Sequence, residues 1–168
     1  MEWIYENSED NKCRYVLGIE GKNPLLCFGV NPSTAEAGVL DNTMKSVDRI
    51  AKNSGYDSWI MLNLYPQRAT NPNDMDLNMN EKIFEENLKW IRKTICNGKF
   101  DIWAAWGTLI EKRGYLWDSL RAIVEIVESN NCRWISFGKK TKYGHPHHPL
   151  FLRADEKYEE FDIYKYVK

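Results

Sequence analysis

Closely spaced cysteines are missing from this chain. Cys13, Cys27, Cys96 and Cys132 stand singly with no Cys-x-x-Cys pair, which argues against a zinc ribbon or a clustered iron–sulfur site. Cys27 falls inside an apolar run and Cys132 opens another, so buried free thiols in a reducing compartment are the expectation. An excess of one charge is lacking too: 23 Lys and Arg stand against 24 Asp and Glu, a net charge of −1 with a pI near 6.3. That balance excludes a strongly electropositive DNA-wrapping protein but leaves room for a local basic strip. The densest strip is Lys139, Lys140, Lys142, His145, His147, His148 and Arg153, with no acid before Asp155. No apolar run approaches the ~20 residues of a membrane span, and residues 1–20 carry scattered charges instead of an apolar signal core. A cytoplasmic protein with no membrane partner is expected. Linkers, repeats and low-complexity stretches are also absent, so residues 1–168 read as a single domain.

What the chain does have is apolar bulk: 43% hydrophobic and 13% aromatic residues, with seven tryptophans, too much for intrinsic disorder. These large side chains serve either as core or as flat surfaces on which bases stack, and packing favours the core for most of them. Residues 13–20 alternate loosely, like a strand, up to Gly21-Lys22-Asn23-Pro24. Residues 25–30 form a nearly all-apolar run typical of a strand buried on both faces. The turn between them predicts a hairpin. Asp41, Asn42 or Thr43 caps a helix that buries Met44, Val47, Ile50 and Ala51 and closes at Gly55.

A second buried strand spans 58–64, followed by a long polar loop over 65–79 of the kind that is functional or mobile. Asn80 caps a helix with Phe84, Leu88, Ile91 and Ile95 on one stripe and Glu81, Glu85 and Glu86 facing solvent. Residues 101–106 are a third strand. A helical stretch from Thr108, interrupted near Gly114, resumes with Leu116, Leu120, Ile123, Val124 and Val127 on one face. Residues 132–137 are a fourth strand, 139–149 a basic loop with proline and histidine, and 161–167 an edge strand or a docked tail.

This alternation of strand and helix predicts right-handed crossovers. The expected fold is a three-layer α/β/α sandwich around a central, mainly parallel four-stranded sheet built from 25–30, 58–64, 101–106 and 132–137. Ligands in such sheets bind at the carboxyl ends of the strands. Those ends are Asn31-Pro32-Ser33, Asn63-Leu64-Tyr65, Trp106-Gly107 and residues 138–150, and every polar, non-periodic cluster in the sequence lies at one of them.

Several of these residues admit two readings. Asn31-Pro32-Ser33-Thr34 is either a plain turn and cap or a loop whose amides and hydroxyls face a base or phosphate. Arg68 with Thr70 either anchors the long loop or binds a phosphate. The run Lys139-Lys140-Thr141-Lys142 is a solvated loop or a binding strip. Trp106 reads as half core and half pocket floor. His145, His147 and His148 crowd together, but Pro146 and Pro149 restrict the loop and no cysteine completes a shell, so no metal and no cofactor is expected.

Two resemblances sharpen this. Gly29-Val30-Asn31-Pro32 resembles the first motif of the uracil-DNA glycosylase superfamily, a loop that holds the catalytic water. His148-Pro149-Leu150 resembles its second motif, and 101–114 is similar to its third strand and Trp-Gly turn, a likeness in order over residues 25–152. The chain departs from that pattern in having Asn31 where the most active members have Asp, and Leu150 in place of a Ser. A closer likeness is to a family of small bacterial and phage proteins, domain of unknown function sixteen forty-three. It rests on Gly29-Val30-Asn31-Pro32-Ser33-Thr34-Ala35, Asp41 with Thr43, Arg49, Asn63-Leu64-Tyr65, and Arg68-Ala69-Thr70 before Pro72. Trp106-Gly107 and Thr141-Lys142 through Gly144 to His148-Pro149-Leu150 complete the set.

The glycosylase resemblance implies a uracil-DNA glycosylase-like fold and a protein that recognises a nucleobase or nucleotide. Such a protein is either a hydrolase acting on a modified or damaged base flipped out of DNA, or a non-catalytic nucleotide-binding module with the same pocket. In the first case Asn31 and His148 are catalytic: Asn31 places the water and His148 steadies the leaving base. Gly29, Pro32, Ser33, Thr34, Asn63, Tyr65, Arg68, Thr70, Trp106, Lys140 and Lys142 are the expected binding residues. The expected partner is a nucleobase, a nucleotide, or single-stranded or flipped-base DNA.

Overall fold

The structure is a computed structural model and describes residues 1–96 and 98–167. Its strands are β1 (Trp3–Asn7), β2 (Arg14–Ile19), β3 (Pro24–Gly29), β4 (Ser58–Asn63), β5 (Asp101–Ala104), β6 (Arg133–Phe137) and β7 (Tyr158–Glu160). Its α-helices are α1 (Asn42–Asn53), α2 (Glu81–Ile95), α3 (Tyr115–Glu128) and the one-turn α4 (Ile163–Tyr166). The strands join one sheet in the order β1-β2-β4-β3-β5-β6-β7.

The four apolar runs lie side by side at its centre. β3 pairs in parallel with β4 and with β5, and β5 in parallel with β6. A crossover helix returns the chain to the same end of the sheet, which makes successive strands parallel. The sheet as a whole, however, is neither four-stranded nor mainly parallel. β1 with β2, β2 with β4, and β6 with β7 pair antiparallel, so a seven-stranded mixed sheet replaces the expected one.

The expected hairpin is replaced too: β2 pairs with β1 and β4, and β4 stands between it and β3. The reason lies in Asp57, whose carboxylate accepts the backbone N–H of Lys22 (2.8 Å) and of Asn23 (2.9 Å). These bonds carry the turn across the amino end of β4. β4, buried along its whole length, thereby gains a ladder on both edges. At the other end, of the two readings of 161–167, edge strand or docked tail, the structure shows the docked tail, and the edge strand β7 precedes it. Phe161, just ahead of α4, and Ile163, its first residue, dock into the core.

Side chains alternate across the central strands. Leu26, Phe28, Ile60, Leu62, Ile102 and Ala104 face a core shared with Leu88 and Ile91 of α2 and Leu116, Leu120 and Ile123 of α3. Leu25, Cys27, Trp59, Met61, Trp103 and Ile135 face the other, shared with Met44, Val47, Ile50 and Ala51 of α1. A strand period of two against a helix period of 3.6 thus builds helices on both faces of the sheet. Asp41 caps α1, its Oδ1 accepting the Met44 N–H at 2.9 Å, and Asn80 caps α2. Each cap stabilises its helix by about 1 kcal/mol. Cys13 and Cys27 are buried free thiols, whereas Cys132 is only half-buried and Cys96 is exposed. Among the described residues no helix is long and apolar enough to cross a membrane.

β4 lies on one side of β3 and β5 on the other, so successive connections diverge there. Such a switch point opens a crevice beyond the carboxyl ends of the two diverging strands.

Candidate functional site

That crevice is a cleft of about 550 Å³, within the size range of small-molecule sites. All four parallel strands deliver residues to it. Gly29, Asn31, Pro32 and Ser33 come from β3 and its loop, Asn63 from the end of β4, and Ala69, Thr70 and Pro72 from the loop beyond. Gly107, Thr108 and Leu109 follow β5, and Thr141, His147, His148, Leu150 and Phe151 follow β6. Asn31 and His148, more than a hundred residues apart in sequence, line the same cleft because parallel strands end together.

The amide of Asn31 is spoken for on one side. Its Nδ2 donates to the carbonyl oxygens of Pro32 (3.1 Å), Gln67 (3.2 Å) and Ala69 (3.0 Å), which ties the β3 loop to the loop after β4. Nothing among the described residues donates to its Oδ1. In His148, Nδ1 accepts the Leu150 N–H at 3.2 Å, so the neutral ring carries its proton on Nε2. Burial pushes its pKa down to about 4, only partly opposed by the Asp41 charge, and the ring is neutral near pH 7. Gly107, at φ +59°, packs behind it: a Cβ there would stand 3.2 Å from the His148 Cβ.

Asn63 is 1% exposed, and among the described residues neither its Oδ1 nor its Nδ2 has a partner. Gly29 leaves space beside it, since a Cβ there would lie 3.0 Å from Asn63 Oδ1 and 2.7 Å from Met61 Cε. Arg14 lines the cleft at 2% exposure, with Nη1 donating to Ala35 O at 3.1 Å and Nε unpaired.

Six expected site residues are placed elsewhere. Tyr65 is wholly buried, its hydroxyl donating to Asp76 Oδ2 (2.7 Å) and accepting the Asn80 N–H (2.9 Å), so it fastens the long loop to the start of α2. Trp106 is core and not pocket floor: it is fully buried and its Nε1 donates to the Tyr166 hydroxyl at 2.9 Å. Arg68 anchors its loop, Nη1 donating to Ser33 O (2.6 Å) and Ala35 O (3.2 Å) and Nη2 to the Tyr5 hydroxyl (2.7 Å). Thr34 is exposed on a neighbouring shallow surface. Lys140 rests over the Phe161 ring and Lys142 over the Tyr143 ring, and neither lines the cleft. The basic loop folds on itself instead, Gly144 donating to Thr141 O (2.9 Å) and Thr141 to His145 O (2.8 Å).

Arg14, Asp41, Thr43, Gly107, Thr108, Thr141 and His147 line the cleft without standing among the expected binding residues. Gly107, Thr141 and His147 lie at the strand ends and Asp41 and Thr43 in the family motif, whereas the sign for Arg14 is only a charge opening the otherwise uncharged β2. Among the described residues no group of three or more His, Cys, Asp or Glu side chains is arranged to hold a metal ion.

No curated protein and no solved structure matches the chain. A family match does exist, over residues 14–150, and both its first residue, Arg14, and its last, Leu150, line the cleft. Since the matched span covers well over half of the 168 residues, the chain belongs to the family described as "Protein of unknown function (DUF1643)".

Proposed function

We propose that the cleft recognises a nucleobase, free or as part of a nucleotide. The observation that carries this reading is Asn63. Its amide is buried at the cleft with donor and acceptor both unsatisfied, whereas nearly all buried polar groups in folded proteins are paired. A side-chain amide offers one donating and one accepting group side by side, the pattern that reads a base edge. Val30, Met44, Met61 and Leu109 supply apolar walls suited to a flat ring, and the exposed Phe151 at the rim offers a stacking face.

Asn63→Leu tests the reading, because it keeps the branched shape and the number of side-chain heavy atoms while removing an unpaired amide. Thermal stability should hold or rise, while affinity for uracil and the common nucleosides, read by calorimetric titration, falls by about tenfold or more. Lower stability with unchanged binding would assign Asn63 to the scaffold.

Asn31 and His148 favour a second reading: a uracil-DNA glycosylase-like fold that hydrolyses the glycosidic bond of a modified or damaged base in DNA. The Asn31 Oδ1, oriented by the three bonds on Nδ2, can accept a hydrogen from an attacking water. The neutral His148 can donate from Nε2 to a base oxygen that gains charge as the base leaves. Single- and double-stranded oligonucleotides carrying uracil or other modified bases separate the readings. Abasic sites favour hydrolysis, and intact strands beside a tightly retained nucleotide favour a binding module.

A further inference from the structure

Two guanidinium groups converge behind the cleft, and among the described residues neither is ion-paired, the Asp41 carboxylate acting on Arg14 only through its charge. Arg14 Nη1 and Arg68 Nη1 donate to one acceptor, the Ala35 carbonyl, at 3.1 and 3.2 Å. The Nε of each is buried and unpaired. Among the described residues no carboxylate forms an ion pair with either. Burying a cation without a partner is costly, and two together repel one another as well.

The two side chains differ in what they leave free. Arg68 spends both Nη atoms on Ser33, Ala35 and Tyr5. Among the described residues Arg14 makes one side-chain bond, to Ala35, leaving Nε and Nη2 without an acceptor, and it lines the cleft. Its backbone N–H donates to Pro66 O at 3.0 Å, which holds it at the end of the sheet where Asn63 lies.

We propose that Arg14 binds the terminal phosphate of a mononucleotide whose base is read by Asn63, an inference that rests on the nucleobase reading above. A guanidinium edge with two free donors matches two oxygens of one phosphate. At 2% exposure that edge is reached only by a group that enters the cleft. The phosphomonoester of a small ligand can enter. A phosphodiester within a strand continues on both sides and would have to bring its neighbours in. The rim agrees, for Lys140 and Lys142 lie on aromatic rings away from the lining and Arg153 is paired with Asp155, so these three cations do not lead a strand across the cleft. Asp41 is the sole carboxylate among the lining residues and its Oδ1 caps α1, so the two arginines leave an excess of positive charge.

The test titrates the wild-type protein with nucleoside monophosphates, the matching nucleosides, inorganic phosphate and a short oligonucleotide. Monophosphates should bind at least about tenfold more tightly than nucleosides, and inorganic phosphate should displace them. In Arg14→Gln the ratio of the two affinities should collapse toward one. Should that variant fail to fold, the wild-type ratio and the phosphate competition decide alone. Equal affinity for nucleoside and monophosphate overturns the phosphate site and leaves the nucleobase reading standing. Phosphate binding indifferent to any attached base overturns the mononucleotide and the nucleobase reading together. An oligonucleotide binding more tightly than every mononucleotide overturns the proposal in favour of a strand.

Discussion

The side-chain amide of Asn31 reaches across 38 sequence positions to donate to the carbonyl oxygen of Ala69 at 3.0 Å. With its bonds to Pro32 and Gln67, this makes Asn31 a clasp between two loops as well as a cleft residue. The clasp fixes which atom of the amide remains available. Nδ2 faces three carbonyls, and only Oδ1 is left for a ligand or a water.

Asn31→Asp therefore acts on the scaffold before it acts on any chemistry. It turns an oxygen, charged at neutral pH, toward carbonyl oxygens that now receive hydrogen bonds. Stability should fall by about 2–4 kcal/mol, from the lost bonds and the unsatisfied acceptors, as measured by denaturant unfolding. An unchanged unfolding midpoint would mean that the clasp contributes nothing.

His148 should leave a mark on the pH dependence of stability. Its pKa in the folded protein, about 4, lies below the ordinary value of 6.5, so in that interval the unfolded chain takes up a proton that the folded ring refuses. Stability should therefore be level above pH 6.5 and decline as pH falls toward 4. His148→Asn offers Oδ1 to the Leu150 N–H without titrating, so its melting temperature should fall less over the same range. Parallel curves for the two proteins would show that the ring titrates as it does in water.

Gly107→Ala should disturb both the fold and the cleft wall. The residue sits at φ +59°, and its new methyl would press on the His148 Cβ at 3.2 Å. The expected loss is about 1–3 kcal/mol of stability, accompanied by weaker nucleobase binding as the His148 loop shifts. Thermal unfolding and calorimetric titration of the same variant check the two effects together. Full stability would show that the turn tolerates the strain.

Helix α2 was legible in the sequence down to its cap, because Asn80 and the stripe through Leu88, Ile91 and Ile95 are local features of one segment. The central strands were legible for the same reason. The partner of β2 was not, since it depends on an Asp57 carboxylate more than thirty positions from the turn it captures. At the site, residue type could not separate scaffold from cleft. Asn63 and Tyr65 stand two residues apart, yet one opens on the cleft and the other is spent on Asp76 and Asn80. Arg68 fits a phosphate as well as it fits a row of carbonyls, and Tyr5, which helps to hold it, lies on a strand whose mixed pattern offered no clear signal.

By itself, the sequence determined the parallel run of the four central strands and the gathering of their polar ends along one edge. Apolar periodicity and caps act within a few residues, and strands linked by helices must end together. Only the tertiary structure decided the flanking strands β1 and β7, the partners of β2, the inward turn of Arg14 and Asn63, and the withdrawal of Trp106, Lys140 and Lys142 from the cleft. Those outcomes depend on which distant carbonyl, ring or carboxylate reaches each side chain first, and a pattern of residue types does not carry that information.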